Sequence, residues 1–185
     1  MERDPQRPLI DELAALSAAE RDAFLACLPV ELQAQALYCW RLWARDDQRA
    51  PQGNWRVWLL LSGRGAGKTR AGAEWVRAQV ESGACQRLNL VGRTDSDVRD
   101  TMIEGPSGIL AVSPPGAGPL YRPKLRRLEY PNGARLYLFS AEEPDRLRGA
   151  QCDGCWCDEL AAWRYRRPST CCSWACGWAA TRAAW

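Results

Sequence analysis

Two short groups of residues carry the chemistry legible in this sequence. The first is Ser62-Gly63-Arg64-Gly65-Ala66-Gly67-Lys68-Thr69. Glycines at that density let backbone N–H groups curl round a polyphosphate. A lysine placed like Lys68 reaches β and γ phosphates, and a hydroxyl placed like that of Thr69 holds Mg²⁺. The second is Asp158-Glu159, directly after the apolar Cys155-Trp156-Cys157. There the first carboxylate can hold Mg²⁺, usually through water, and the second can polarise an attacking water. Each group alone has a plainer reading: a glycine turn with a surface lysine, and two acids favoured by a helix N-terminus. Together they read as the two halves of an ATP–Mg²⁺ site. Ser62 stands where G-x-x-x-x-G-K-[ST] has its first glycine. A dinucleotide fingerprint fails, because Gly63-Arg64-Gly65 runs on through Ala66 and Gly67 to Lys68, where the third glycine belongs.

Elements able to position these groups surround them. Val57 to Leu61 is an unbroken apolar run, which predicts a strand buried on both faces of a parallel sheet. Arg70 to Val80 predicts a helix whose N-terminus adds its positive dipole end to the loop. Thr69, Gly72, Ala73, Val76 and Val80 form one face of it, and Glu81-Ser82-Gly83 ends it. Arg87 to Val91 reads as a second parallel strand, completing a βαβ unit. Thr94 to Ile103 reads as a helix capped near Thr94 or Asp95, and 105–123, rich in Pro and Gly, as a loop. Arg126 to Tyr130 and Ala134 to Phe139 flank Pro131-Asn132-Gly133 as a hairpin, with Leu128 and Tyr130 set against Leu136 and Leu138. Ser140 to Gly149, with Arg146 and Arg148, reads as solvated surface. Upstream, Ser17-Ala18-Ala19-Glu20 is a capping box before the helical face Phe24, Leu25 and Leu28. Leu32, Ala36, Cys39, Trp40 and Trp43 follow at helical spacing, as packing residues. Gln48 lies in a polar exit; a glutamine upstream of a phosphate loop can read an adenine edge, and without that loop it is an ordinary loop residue. The expected fold is an α/β phosphate-loop domain, a mostly parallel sheet flanked by helices, with a helical lead and a β-hairpin insertion.

Composition narrows the chemistry. The 185 residues carry a net charge of +3, too small to argue for nucleic acid by itself, and no histidine, which removes His triads and HExxH zinc sites. Lys68 and Lys124 are the only lysines. The charged N-terminus and the lack of a long apolar run predict no secretory signal and no membrane span, hence the cytoplasm. Nine cysteines then read as free thiols used as small hydrophobes. Cys152-x-x-Cys155 has zinc-like spacing, yet Cys155 and Cys157 belong to an apolar strand and no later C-x-x-C matches.

In combination these segments resemble the large subunit of phage terminases, and more narrowly those of gene transfer agents and related prophages. The residues carrying the resemblance are Trp43-Ala44-Arg45 with Gln48, Trp58 to Arg77, Met102 to Gly108, Arg148-Gly149, and Trp156 to Tyr165. It runs from about Leu37 to Tyr165, and such terminases tolerate a non-glycine where Ser62 stands. The resemblance implies an ATPase that powers DNA packaging into a capsid. It puts Gln48 near adenine, the loop of Gly63, Gly65, Ala66 and Gly67 with Lys68 and Thr69 at phosphates and Mg²⁺, Asp158 at Mg²⁺, and Glu159 as the catalytic carboxylate. It also makes Arg64 a mobile arginine that stabilises the transferring phosphoryl group. Implied partners are double-stranded DNA, a portal protein and a small terminase subunit, in the cytoplasm of a bacterial host and without a membrane. A helicase-like phosphate-loop ATPase and an inactive remnant are the alternatives.

The last twenty residues, Arg166 to Trp185, contain no Leu, Ile, Val, Met, Phe, Asp or Glu, but do contain Cys171, Cys172, Cys176, Trp174, Trp178 and Trp185. Cys and Trp codons both begin with TG; one nucleotide earlier each becomes NTG, which encodes Leu, Val or Met. A frameshift near Arg166 is therefore expected. The expected organisation is a helical lead over 1–50, a partial ATPase domain over 51–165 and an aberrant tail over 166–185. That tail is expected to supply no strand and little order, leaving an incomplete domain with little or no ATPase activity.

Overall fold

The computed structural model describes residues 7–53, 55–164 and 177–183. The chain forms two compact units, Met1–Arg49 and Ala50–Trp185.

The first unit is helical: α1 (Arg7–Ala15), α2 (Ala18–Ala26), α3 (Val30–Leu37) and α4 (Trp40–Trp43). The capping box at α2 forms as its sequence demands. Ser17 Oγ accepts from Glu20 N at 3.3 Å, and Glu20 Oε2 accepts from Ser17 N at 3.0 Å. The tryptophan at the end of α4 stays 36 % exposed, and Leu32 of the same expected face is exposed too; Trp43 Nε1 donates to Ala36 O at 2.8 Å, and the Arg21 guanidinium lies 5.2 Å over its ring.

The second unit contains one seven-stranded sheet. Its strands are β1 (Val57–Ser62), β2 (Arg87–Gly92), β3 (Leu120–Arg122), β4 (Arg127–Glu129), β5 (Arg135–Ser140), β6 (Gly154–Cys157) and β7 (Gly177–Ala183), in the spatial order β1-β7-β6-β2-β5-β4-β3. From β1 to β5 every pairing is parallel; β5-β4-β3 is an antiparallel meander. The hairpin forms with Leu128 opposite Leu136 as expected, but Tyr130 N–H donates to Ala134 O and Leu138 N–H to Arg126 O, so Tyr130 and Leu138 do not face each other across it. It is built into the sheet, because β5 also pairs in parallel with β2.

Two expectations are corrected. The tail does supply a strand: β7 lies between β1 and β6, hydrogen-bonded to both. A backbone ladder needs N–H and C=O groups rather than particular side chains, so composition is a weak guide to it. The remaining tail residues, 166–176 and 184–185, lie outside the described residues. And β1 is not buried on both faces. It is an edge strand, with Trp58 buried and Val57, Leu59 and Leu61 exposed. β2, an inner strand, is buried from Leu88 onward.

Between β1 and β2 runs α5 (Lys68–Glu81). A Cβ on Gly72 would come within 2.3 Å of the buried Trp156 indole, so only glycine lets α5 approach β6 this closely. That contact holds the first turn of α5 above the end of β6. After β2, Thr94 caps α6 (Asp95–Asp97), its Oγ1 accepting from Asp97 N at 3.0 Å. A π-helical turn follows over Val98–Ile103, then α7 (Ile109–Val112), so the segment read as loop contains both α7 and β3. Cys27, Cys39 and Cys85 are free thiols, whereas Cys152 is disulfide-bonded. No helix among the described residues is long and apolar enough to cross a membrane.

Candidate nucleotide site

The apolar run of β1 ends at Ser62, and the chain turns through glycines before α5 begins. Gly65 and Gly67 adopt φ of 79° and 77°, left-handed values that β-carbons resist. Gly67 is the residue immediately before α5. The Lys68 ammonium folds back over the loop, donating to Ser62 O at 2.9 Å and Gly63 O at 2.8 Å. Thr69 follows in the first turn, where uncompensated helix N–H groups favour an anion.

The other wall is built from the ends of β6 and β2. Asp158 directly follows β6; its backbone N–H donates to Val91 O at 2.9 Å and its carbonyl accepts from Trp163 Nε1 at 3.0 Å. Its residue surface is 7 % exposed. Glu159 sits at φ 49°, ψ 45°, one of two described non-glycine residues with positive φ. That conformation costs about 1–2 kcal/mol for a residue with a β-carbon, and strain of this kind collects at functional sites.

These walls enclose a cleft of about 380 Å³ lined by Arg64, Gly65, Gly67, Lys68, Thr69, Arg70, Asp100, Thr101, Pro106, Ser107, Asp158 and Glu159. A recess of about 190 Å³ adjoins it, sharing Thr69, Thr101, Asp158 and Glu159 and adding Arg93 and Asp97. The structure thus brings together two groups that lie far apart in the sequence. Arg64 is exposed at the cleft. Gly63 enters through its carbonyl on Lys68, and Ala66 lies within the loop. Gln48 belongs to the first unit, where its Oε1 accepts from Arg45 N at 3.1 Å and it is 8 % exposed. Arg146 and Arg148 are exposed and paired with Glu143 at 2.8 Å and Asp145 at 3.2 Å.

Sequence reasoning missed the far wall. Asp100, Thr101, Pro106 and Ser107 line the cleft from the π-turn and the loop before α7. Asp100 is held by Arg99 at 2.6 Å, a hydrogen bond that lowers its carboxyl below the ordinary value. The signal available was the Met102 to Gly108 segment, noted for resemblance and given no role. Arg70 was missed too. It is gripped by Glu74, whose side chain is fully buried on α5; burial pushes the Glu74 carboxyl up, against the pull of Arg77 and Arg70.

A parallel α/β sheet, a glycine loop leading into a helix, and an acid at the end of an inner strand facing that loop define a phosphate-loop nucleotide-binding domain. The family described as terminase large subunit, T4-like virus type, N-terminal, matches residues 59–173, well over half of the chain, and the chain belongs to it. No curated protein matches the chain by sequence. Among solved structures, the large terminase of a thermophilic bacteriophage superposes with a TM-score of 0.59 at 17 % identity, covering 81 % of this chain and 38 % of its own. The same phage protein in complex with ADP gives 0.58 at 16 %, covering 82 % and 37 %. The ATPase domain of a Thermus phage large terminase, as an arginine-to-alanine mutant, gives 0.50 at 16 %, covering 88 % and 68 %. At 16–17 % identity these superpositions show the fold alone. The chain spans 38 % of the thermophilic phage protein's length.

Proposed function

We propose that this chain is the nucleotide-binding part of a DNA-packaging ATPase, its cleft taking ATP and Mg²⁺. The observation that carries the reading is one cleft lined by both Lys68-Thr69 and Asp158-Glu159. The ADP complex of the thermophilic phage terminase, which shares the fold, supports it. In this reading the N–H groups of Gly63, Gly65, Ala66 and Gly67 receive phosphate oxygens, and Lys68 exchanges its two carbonyl partners for β and γ oxygens. The oxygen donors present suit a hard cation: the Thr69 hydroxyl and the buried Asp158 carboxylate would hold Mg²⁺. No group of three or more His, Cys, Asp or Glu able to hold a metal exists among the described residues, so phosphates and water would complete the shell. Bound there, Mg²⁺ would neutralise charge on the phosphates. Glu159 orients and deprotonates water, and Arg64 stabilises charge on the transferring group. Double-stranded DNA, a portal protein and a small terminase subunit, of a phage or gene transfer agent in a bacterial cell, are the partners this reading proposes.

The test is ATP binding with and without Mg²⁺. Asp158→Asn should remove the metal-dependent part of the affinity, and Glu159→Gln should keep ATP bound while lowering any turnover by about a hundredfold or more. Metal dependence unchanged in Asp158→Asn, or binding lost in parallel with turnover in Glu159→Gln, would contradict these assignments.

A further inference from the structure

Arg70 lines the cleft one residue beyond Thr69, yet nothing in the phosphate-loop reading uses it. Its guanidinium is anchored from below: Nε donates to Glu74 Oε1 at 2.9 Å and Nη2 lies 2.7 Å from the same oxygen. The other oxygen of Glu74 lies 2.9 Å from Arg77 Nη2, and Arg77 Nη1 donates to Val112 O at 2.8 Å. A chain of charges therefore runs from the cleft, through the interior, to the end of α7, the helix that follows the far wall of the same cleft.

An ordinary Arg–Glu pair on a helix surface would not need this arrangement. Such pairs contribute little and work while solvated. Here the Glu74 side chain has no exposed surface and Arg77 retains 9 %, so both pay for leaving water. An apolar residue at 74 would pack there without that penalty. What the network achieves, and an apolar residue would not, is a guanidinium held in one place at the edge of the loop. The guanidinium is a planar, permanently charged fork; with its Nε–Nη2 edge held by Glu74 it meets phosphate oxygens as a charge fixed in advance, which loses less entropy on binding them.

We propose that Arg70 is a phosphate-binding residue of the nucleotide site, and that buried Glu74 is the positioning residue that holds it. The inference rests on the nucleotide reading above. It adds a third cation to Lys68 and Arg64, and it makes Glu74, which touches no nucleotide, a determinant of affinity.

The experiment is calorimetric titration of ADP into the 185-residue chain and its variants, with a thermal melt of each. Lys68→Ala tests the site itself. Arg70→Ala should weaken ADP about tenfold, and Arg70→Lys should recover part of the loss by keeping charge without the fork. Arg70→Ala takes one charged partner from the buried Glu74 carboxylate and should lower the melting point, whereas Arg70→Lys keeps a charge there and should melt nearer the parent, so its affinity is the cleaner reading. Glu74→Gln should weaken ADP about threefold, and should add nothing in the Arg70→Ala background, the coupling expected of a residue that acts through another. If Lys68→Ala weakens ADP strongly and Arg70→Ala leaves it unchanged, the Arg70 assignment is wrong while the site stands. If neither variant matters, the site reading falls and this inference with it. A Glu74→Gln loss of equal size with and without Arg70 would make Glu74 structural and overturn its positioning role. Should Glu74→Gln not fold, the Arg70→Ala and Arg70→Lys pair decides.

Discussion

β1 and β2 look alike as sequence and differ as structure. Val57-Trp58-Leu59-Leu60-Leu61 and Leu88-Asn89-Leu90-Val91 are both short, mostly apolar segments that follow an arginine. Yet Leu88, Leu90 and Val91 are fully buried, while Val57, Leu59 and Leu61 are 54 %, 44 % and 56 % exposed. The strand that carries the phosphate loop is thus the margin of the sheet. What fixes the loop is not burial of β1 on both faces. It is the seat of α5 on β6 at Gly72, with Lys68 clipping the loop to itself. A glycine loop can hang from a weak edge if the helix that follows it is seated on the middle of the sheet.

That contrast makes graded predictions, each readable as a change in urea unfolding of the whole chain. The largest effect should come from Leu90→Ala on β2, at about 2–5 kcal/mol for a filled site that cannot collapse. Next is Gly72→Ala. Its β-carbon meets a buried indole, costing about 1–3 kcal/mol by overpacking, partly offset by about 1 kcal/mol of helix propensity. It should also weaken nucleotide binding, because α5 must lift from β6. Leu59→Thr on the exposed face of β1 should change stability by no more than about 0.5 kcal/mol. A cost as large as that of Leu90→Ala would show that β1 is covered after all.

The smallest effect at neutral pH should come from Tyr130→Phe, at the far side of the sheet. Burial pushes the Tyr130 phenol from 10.0 up to about 12. The folded chain then holds that proton more tightly than the unfolded chain, so its contribution is complete below pH 10 and is lost as pH rises from 10 toward 12. Tyr130→Phe should flatten the alkaline fall in stability across that window, and an unchanged alkaline profile would remove Tyr130 from its cause.

The parts legible in the sequence are those set by local chemistry. The Ser17–Glu20 capping box, the hairpin register at Leu128 and Leu136, and the strand–loop–helix around Lys68 each depend on residues within a few positions of one another. Asp158 and Glu159 stand out in the sequence as an acid pair after an apolar strand downstream of a phosphate loop, and the structure places both at the cleft. The left-handed backbone of Glu159 was not legible, since it follows from packing. The π-turn at Val98–Ile103 and the burial of Glu74 are likewise tertiary outcomes. Strand order is the least local property of all. No pattern in Val57 to Leu61 states that β1 lies at an edge, and nothing in the composition of Gly177 to Ala183 announces a strand between β1 and β6.

The central claim is that the cleft between the glycine loop and Asp158-Glu159 binds nucleotide through its phosphates. The most direct measurement is calorimetric titration of Mg²⁺–ATP into the chain and into Lys68→Ala, with unfolding midpoints showing that both are folded. Losing one charged hydrogen-bonding group to phosphate, worth about 1.5–3 kcal/mol, should weaken binding by roughly tenfold to a hundredfold while the midpoint stays near that of the parent. Equal affinity in the two proteins would mean that Lys68 meets no phosphate and that the cleft is not the nucleotide site.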